Sequence, residues 1–197
     1  MNYGLDFMRI DAITAVMSGH ELSTQAYLLE QEMIDSFGGN KCETMDARVS
    51  SLKEEIRQVG ADLSSYSRFS FFKKKDFDYL KRKYFLLELK FFSLVQEYNH
   101  ACGKPLIPIL YFYEIDQDAS ERQGFILEDV AKAFEKQVVV LTLDKDYKDE
   151  PLVGLLAQRF NVTIAPTIIF DGVKKEGLVY TKEINATILK VISETKK

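Results

Sequence analysis

The sequence predicts an α/β domain with helices on both faces of a mixed sheet, preceded by an all-α antiparallel, coiled-coil-like helical arm. Three observations carry this reading. Up to about residue 102 the apolar residues recur at steps of three and four, the spacing of one helix face. After "CGKP" (102 to 105) short, nearly continuous apolar runs alternate with helical stretches, the pattern of buried strands joined by crossover helices. Near the end, Asp171-Gly172 follows a β-branched run, which signals a hairpin. The division falls into an arm, 1–102, and a domain, 103–197.

The helices of the arm follow from their seams. From His20 to Phe37, residues Leu22, Ala26, Leu29, Met33 and Phe37 share one face. Between 43 and 66 the series is Val49, Leu52, Ile56, Val59, Leu63, Tyr66, and between 76 and 100 it is Phe77, Leu80, Tyr84, Leu87, Phe91, Leu94, Tyr98. Such heptad-like stripes pack against another helix, within the chain or in a homodimer through the arm. "SFGGN" and "SYSRFSFFKKK" separate the helices, and Phe85, Leu89 and Phe92 give the last one a second stripe, so that it contacts both its helical partner and the following domain.

The domain then reads β-α-β-α-β-β-α. "PLIPILYFYEI" (105 to 115) and "VVVLTLD" (138 to 144) are buried strands. "SERQGFILEDVAKAFEKQ" (120 to 137) is a helix with Ile126 or Leu127, Val130 and Phe134 inward, and "EPLVGLLAQRF" (150 to 160) is a second. "PTIIFDG" and "EGLVY" form the two strands of the hairpin, and "KEINATILKVISETKK" is the closing helix.

Composition narrows the function classes. The chain has 197 residues, 46% hydrophobic and 28% charged, with a net charge of −4. That balance suits a folded domain and gives no global electrostatic case for nucleic acid. No apolar run approaches the roughly 18 to 20 residues that span a bilayer, and the first residues lack a basic-then-apolar leader. His20 and His100 have no second histidine at ligand spacing, so neither a metal nor a cofactor is expected. "DQDASE" and "DKDYKDE" read as solvated acidic loops without the glycine of a calcium loop. Lys73, Lys74, Lys75, Lys81, Arg82 and Lys83 lie among aromatics. They form a solvated face, with a membrane surface as the alternative partner and a nucleic-acid platform the least favoured.

The element order, together with "RFNV" followed by "TIAPTIIFDG", resembles the thioredoxin fold over residues 104–195. In that family a cis-proline precedes the third strand of this series and faces the active site. Pro166 matches it, and Asp171-Gly172 matches the family's hairpin turn. The resemblance implies that Ala165, Pro166 and Thr167 present backbone groups to an extended peptide, so a protein or peptide is the expected partner. An ordinary trans turn proline is the alternative.

The same resemblance shows what is missing. The redox members carry Cys-x-x-Cys where the first strand meets its helix, the helix N-terminus activating the first thiol. Here the four positions are Gln117, Asp118, Ala119 and Ser120. The family's buried aspartate six residues earlier is Tyr111. Neither thiol nor base is present, so no catalytic residue is assigned, and a partner-binding or assembly role is expected. A thiol-disulfide oxidoreductase relative using Cys102 or another non-standard residue is the alternative, a membrane-surface scaffold a further one. "YFYEIDQDASERQG" is also similar to archaeal proteins that place a coiled-coil region before such a domain. That likeness implies a membrane anchor upstream of Met1 and an extracytoplasmic location, the cytoplasm being the alternative.

The last expectation concerns Cys42 and Cys102. They flank two helices of nearly equal length, which an antiparallel fold brings to the same end. A disulfide there is expected; two free thiols in a reducing compartment are the alternative.

Overall fold

A computed structural model describes residues 41–67, 74–103, 106–135 and 137–195, together with Leu29. The helix expected over 20 to 37 lies, apart from Leu29, outside the described residues. The chain divides into two compact units, Met1–Met45 and Asp46–Lys197. The long helix before the 102/103 boundary packs against the strand over 138–144 and the helix over 151–159.

In order, the elements are α1 (Lys41–Ser67), α2 (Lys74–Cys102), β1 (Ile107–Tyr113), α3 (Asp118–Ala133), β2 (Val138–Asp144), α4 (Pro151–Arg159), β3 (Thr167–Phe170), β4 (Val173–Glu176) and α5 (Thr181–Thr195). Among the described residues no helix is long and apolar enough to cross a membrane.

The sheet runs β2-β1-β3-β4. β1 and β2 are parallel, Ile107 opposite Val138 through Tyr113 opposite Asp144. β3 is antiparallel to both β1 and β4. Alternation along each strand sends side chains to two faces. Ile107, Ile109, Tyr111, Val138, Ile168 and Phe170 meet Leu127 and Val130 of α3 and Ile184 and Ile188 of α5 in one core. On the opposite face Pro108, Leu110 and Ile169 line a cavity of about 450 Å³ with Phe92 of α2 and Phe160.

α1 and α2 touch at Asp46–Tyr98, where the phenol donates to the carboxylate, and at Glu55–Lys83, 3.7 Å. A Cβ on Gly60 would come within 3.2 Å of the Tyr84 ring, so a glycine there lets the helices approach. Asp46 near the start of α1 meets Tyr98 near the end of α2, and Gly60 further along α1 meets Tyr84 nearer the start of α2, so the two run antiparallel. The second stripe of α2 turns inward as expected, Phe85 meeting Tyr147 edge-on at 4.9 Å between ring centroids.

Three expectations change. The last strand is not "EGLVY" but Val173–Glu176. Pairing resumes at once, Phe170 opposite Val173, because Asp171 (φ 51°) and Gly172 (φ 70°) make a two-residue turn with both residues left-handed. Gly177 (φ 78°) then breaks the strand, and Val179 is buried beyond it. The helix expected over 120 to 137 stops at Ala133, with Gln137 and Val138 both donating to the Phe134 carbonyl as the chain turns into β2. The basic face is also partly spent within the molecule. Lys81 pairs with Asp144 at 2.6 Å, Arg82 with Glu150 at 2.9 Å and Lys83 with Glu55.

Candidate functional site at the carboxyl end of β1

β1 ends at Tyr113, and the chain turns through Glu114 to Asp116, which takes a left-handed φ of 59°, into α3. β3 starts at Thr167, directly opposite Phe112. The antiparallel register therefore carries Gln117–Ser120 and Ala165–Thr167 to the same end of the sheet. β4 returns to that end too, since Glu176 opposes Thr167 and the Gly177 N–H donates to the Pro166 carbonyl at 2.8 Å.

Gln117 is the N-cap of α3, with extended backbone and no side-chain cap. Its side chain instead accepts from the Ser120 hydroxyl at 2.7 Å, and the same hydroxyl accepts from the Glu114 N–H at 3.1 Å. Ser120 is buried, Ala119 half-buried and Asp118 exposed. The Tyr111 hydroxyl donates to the Ser120 carbonyl, and burial pushes its phenol up to about 12. A serine hydroxyl tied on both sides and a phenol that stays protonated make a fixed, neutral junction.

Across the end of the sheet the Ala165–Pro166 peptide bond is cis. Pro166 and Thr167 are buried, and the Thr167 hydroxyl donates to the Ile164 carbonyl at 2.7 Å. Ala165 is half-buried, and among the described residues its own N–H and carbonyl make no hydrogen bond. Three large apolar side chains are exposed on the segments that meet here, Ile115 at 55%, Ile164 at 48% and Tyr180 at 66%.

Cys42 and Cys102 are both disulfide-bonded. Cys102 closes α2 ahead of β1, at the opposite end of that strand from Gln117, and contributes no free thiol to the site. Sequence reasoning missed Gln123. Fully buried on α3, it accepts from the Val179 N–H at 2.7 Å and donates to the Val179 carbonyl at 3.2 Å, which fixes the loop that carries Tyr180. No spacing signals this, because its partner is a backbone unit 56 residues away.

No protein-family model matches the chain, and no curated protein matches it. Among solved structures it is similar to a malarial protein at 26% identity, over 43% of this chain and 96% of that one, with a TM-score of 0.38. It is also similar to thioredoxin-2, a component of the malaria parasite's protein secretion machinery, at 26% identity, over 43% of this chain and 82% of that one, TM-score 0.38. A third is chloroplastic thioredoxin z, at 19% identity, over 50% and 88% of the two chains, TM-score 0.39.

Proposed function

We propose that residues 104–195 are a redox-inactive thioredoxin-like domain that holds an extended polypeptide against Ala165–Thr167. The observation that carries this reading is the backbone of Ala165, whose donor and acceptor are both unused among the described residues. An extended chain laid alongside satisfies both, as in strand addition. Ile115, Ile164 and Tyr180 give the apolar contact that backbone pairing alone lacks. A dithiol exchange reaction has no support at this place, because Gln117 and Ser120 stand where its sulfurs would be.

The test is a titration with reduced, carboxymethylated α-lactalbumin, a permanently unfolded chain, followed by ¹⁵N NMR. Amide shifts are expected at Ile115, Ala165, Thr167 and Tyr180, and an Ile115→Ser, Ile164→Ser variant is expected to lose them. A spectrum unmoved at millimolar probe, or moved only elsewhere, sinks the reading.

A further inference from the structure

Helix α2 buries one acid against the sheet. Glu88 is fully buried, and its Oε1 accepts from the Thr142 N–H at 2.8 Å and from the Thr142 hydroxyl at 3.2 Å. The Tyr84 hydroxyl lies 3.0 Å from the Thr142 hydroxyl, extending the network by one link. Glu88 Oε2 has no hydrogen-bond partner among the described residues.

Thr142 belongs to β2, an edge strand. The Lys145 N–H donates inward, to Tyr113 of β1. By alternation the N–H groups of Val140 and Thr142 point away from the sheet. An edge amide ordinarily meets water or a further strand. Here it meets a carboxyl group brought by a helix.

Among the described residues no cation faces that carboxyl group. On its own helix Tyr84 is one turn away and Lys81 two turns away, and Lys81 is held by Asp144 at 2.6 Å. β2 contributes Asp144 and β1 contributes Tyr113, and both Tyr113 and Tyr84 are driven toward their neutral forms by burial and by the negative charge near them. Among the described residues an ionised Glu88 therefore has only neutral donors against its charge, the two of Thr142 and the Tyr84 hydroxyl beside them. The protonated acid keeps the Thr142 N–H bond without burying a charge.

We propose that Glu88 is a proton-operated latch, which in its protonated form holds α2 on the edge of β2 and loosens that contact when it ionises. Burial, opposed by the hydrogen bonds from Thr142 and Tyr84, raises its carboxyl from the ordinary 4.5 to about 8. The folded value lies above the unfolded one, so the stability it contributes is complete below the ordinary value. It declines as pH rises and is gone once pH passes about 8.

The experiment is hydrogen exchange across residues 138–145 in the whole protein between pH 6 and 9.5, corrected for the intrinsic rate. Protection in the wild type is expected to fall about tenfold per pH unit up to about pH 8 and then to level off. Glu88→Gln, which keeps the acceptor for Thr142 and cannot ionise, is expected to show no such slope. Equal slopes in the two proteins overturn the proposal. A ¹³C titration of the wild-type Glu88 carboxyl decides the matter if the variant does not fold: a midpoint near 8 supports the latch, and one near 4.5 overturns it.

Discussion

The Tyr111 hydroxyl donates to the Ser120 carbonyl across the junction of β1 and α3. A phenol from the strand thus anchors the first turn of the helix. Tyr111→Phe keeps the ring and deletes the bond. A loss of about 1 kcal/mol is expected, read as a lower urea midpoint at unchanged slope. Because the phenol stays protonated to about 12, that difference should hold from pH 6 to 9.

Gln117 and Ser120 occupy the two ends of a helix N-terminal turn. The unmodified protein is expected to reduce insulin no faster than the buffer blank. Changing both to Cys places a first thiol at the N-cap, where the helix lowers its pKa, and measurable insulin turbidity is expected. A folded double variant with two titratable new thiols and no activity would show that the turn does not position an exchange centre.

Gln123→Ala strands both backbone groups of Val179 and leaves a void at a fully buried site. A loss of about 2 to 4 kcal/mol is expected. The same variant should sharpen the exchange of amides 177–180 before the sheet itself opens.

Lys81 and Asp144 form an ion pair with side chains only 8% and 7% exposed, and the Lys81 ammonium sits 4.9 Å from the Tyr147 ring centroid. Removing one member, as in Lys81→Met, leaves a buried charge and is expected to cost about 3 to 5 kcal/mol. The double variant Lys81→Met, Asp144→Leu should recover most of that loss in thermal unfolding. Additive losses would mean that the two charges are not coupled.

The disulfide-bonded state of Cys42 and Cys102 gives a direct count. Protein purified and denatured without reductant is expected to react with no equivalents of a thiol reagent, and with two after reduction. Two reactive thiols at the outset would contradict the bonded state.

The parts legible in the sequence were those written in local pattern. "VVVLTLD" is a run of seven residues bounded by a helix and a turn, and β2 covers those seven residues. Asp171-Gly172 located its turn because positive φ at two successive positions has a residue signature. The same signal should have placed β4 at once after it; the apolar look of "EGLVY" drew the strand too late, where Val179 is buried as a loop anchor instead. What failed to show were pairings between distant elements. Lys81, Arg82 and Lys83 read as one solvated cluster, yet each meets an acid 28 to 68 positions away. Nothing local in the sequence marks Gln123 or Glu88, and only the distant backbone they reach explains their burial.

The Asp171-Gly172 turn also decides which residues form the outer rim of the sheet. Because pairing resumes at Val173, the exposed margin is Val-Lys-Lys-Glu, with Lys174 bonded to Glu176 at 2.7 Å and Lys175 to Glu183. A second copy approaching this rim to extend the sheet would set lysines against lysines, a repulsive alignment. It would also have to break two ion pairs to lie flat. Had the strand been "EGLVY", the rim would have offered Leu178, Val179 and Tyr180, a run suited to templated fibril growth. A turn of two residues thus keeps Leu178, Val179 and Tyr180 off this edge of the sheet.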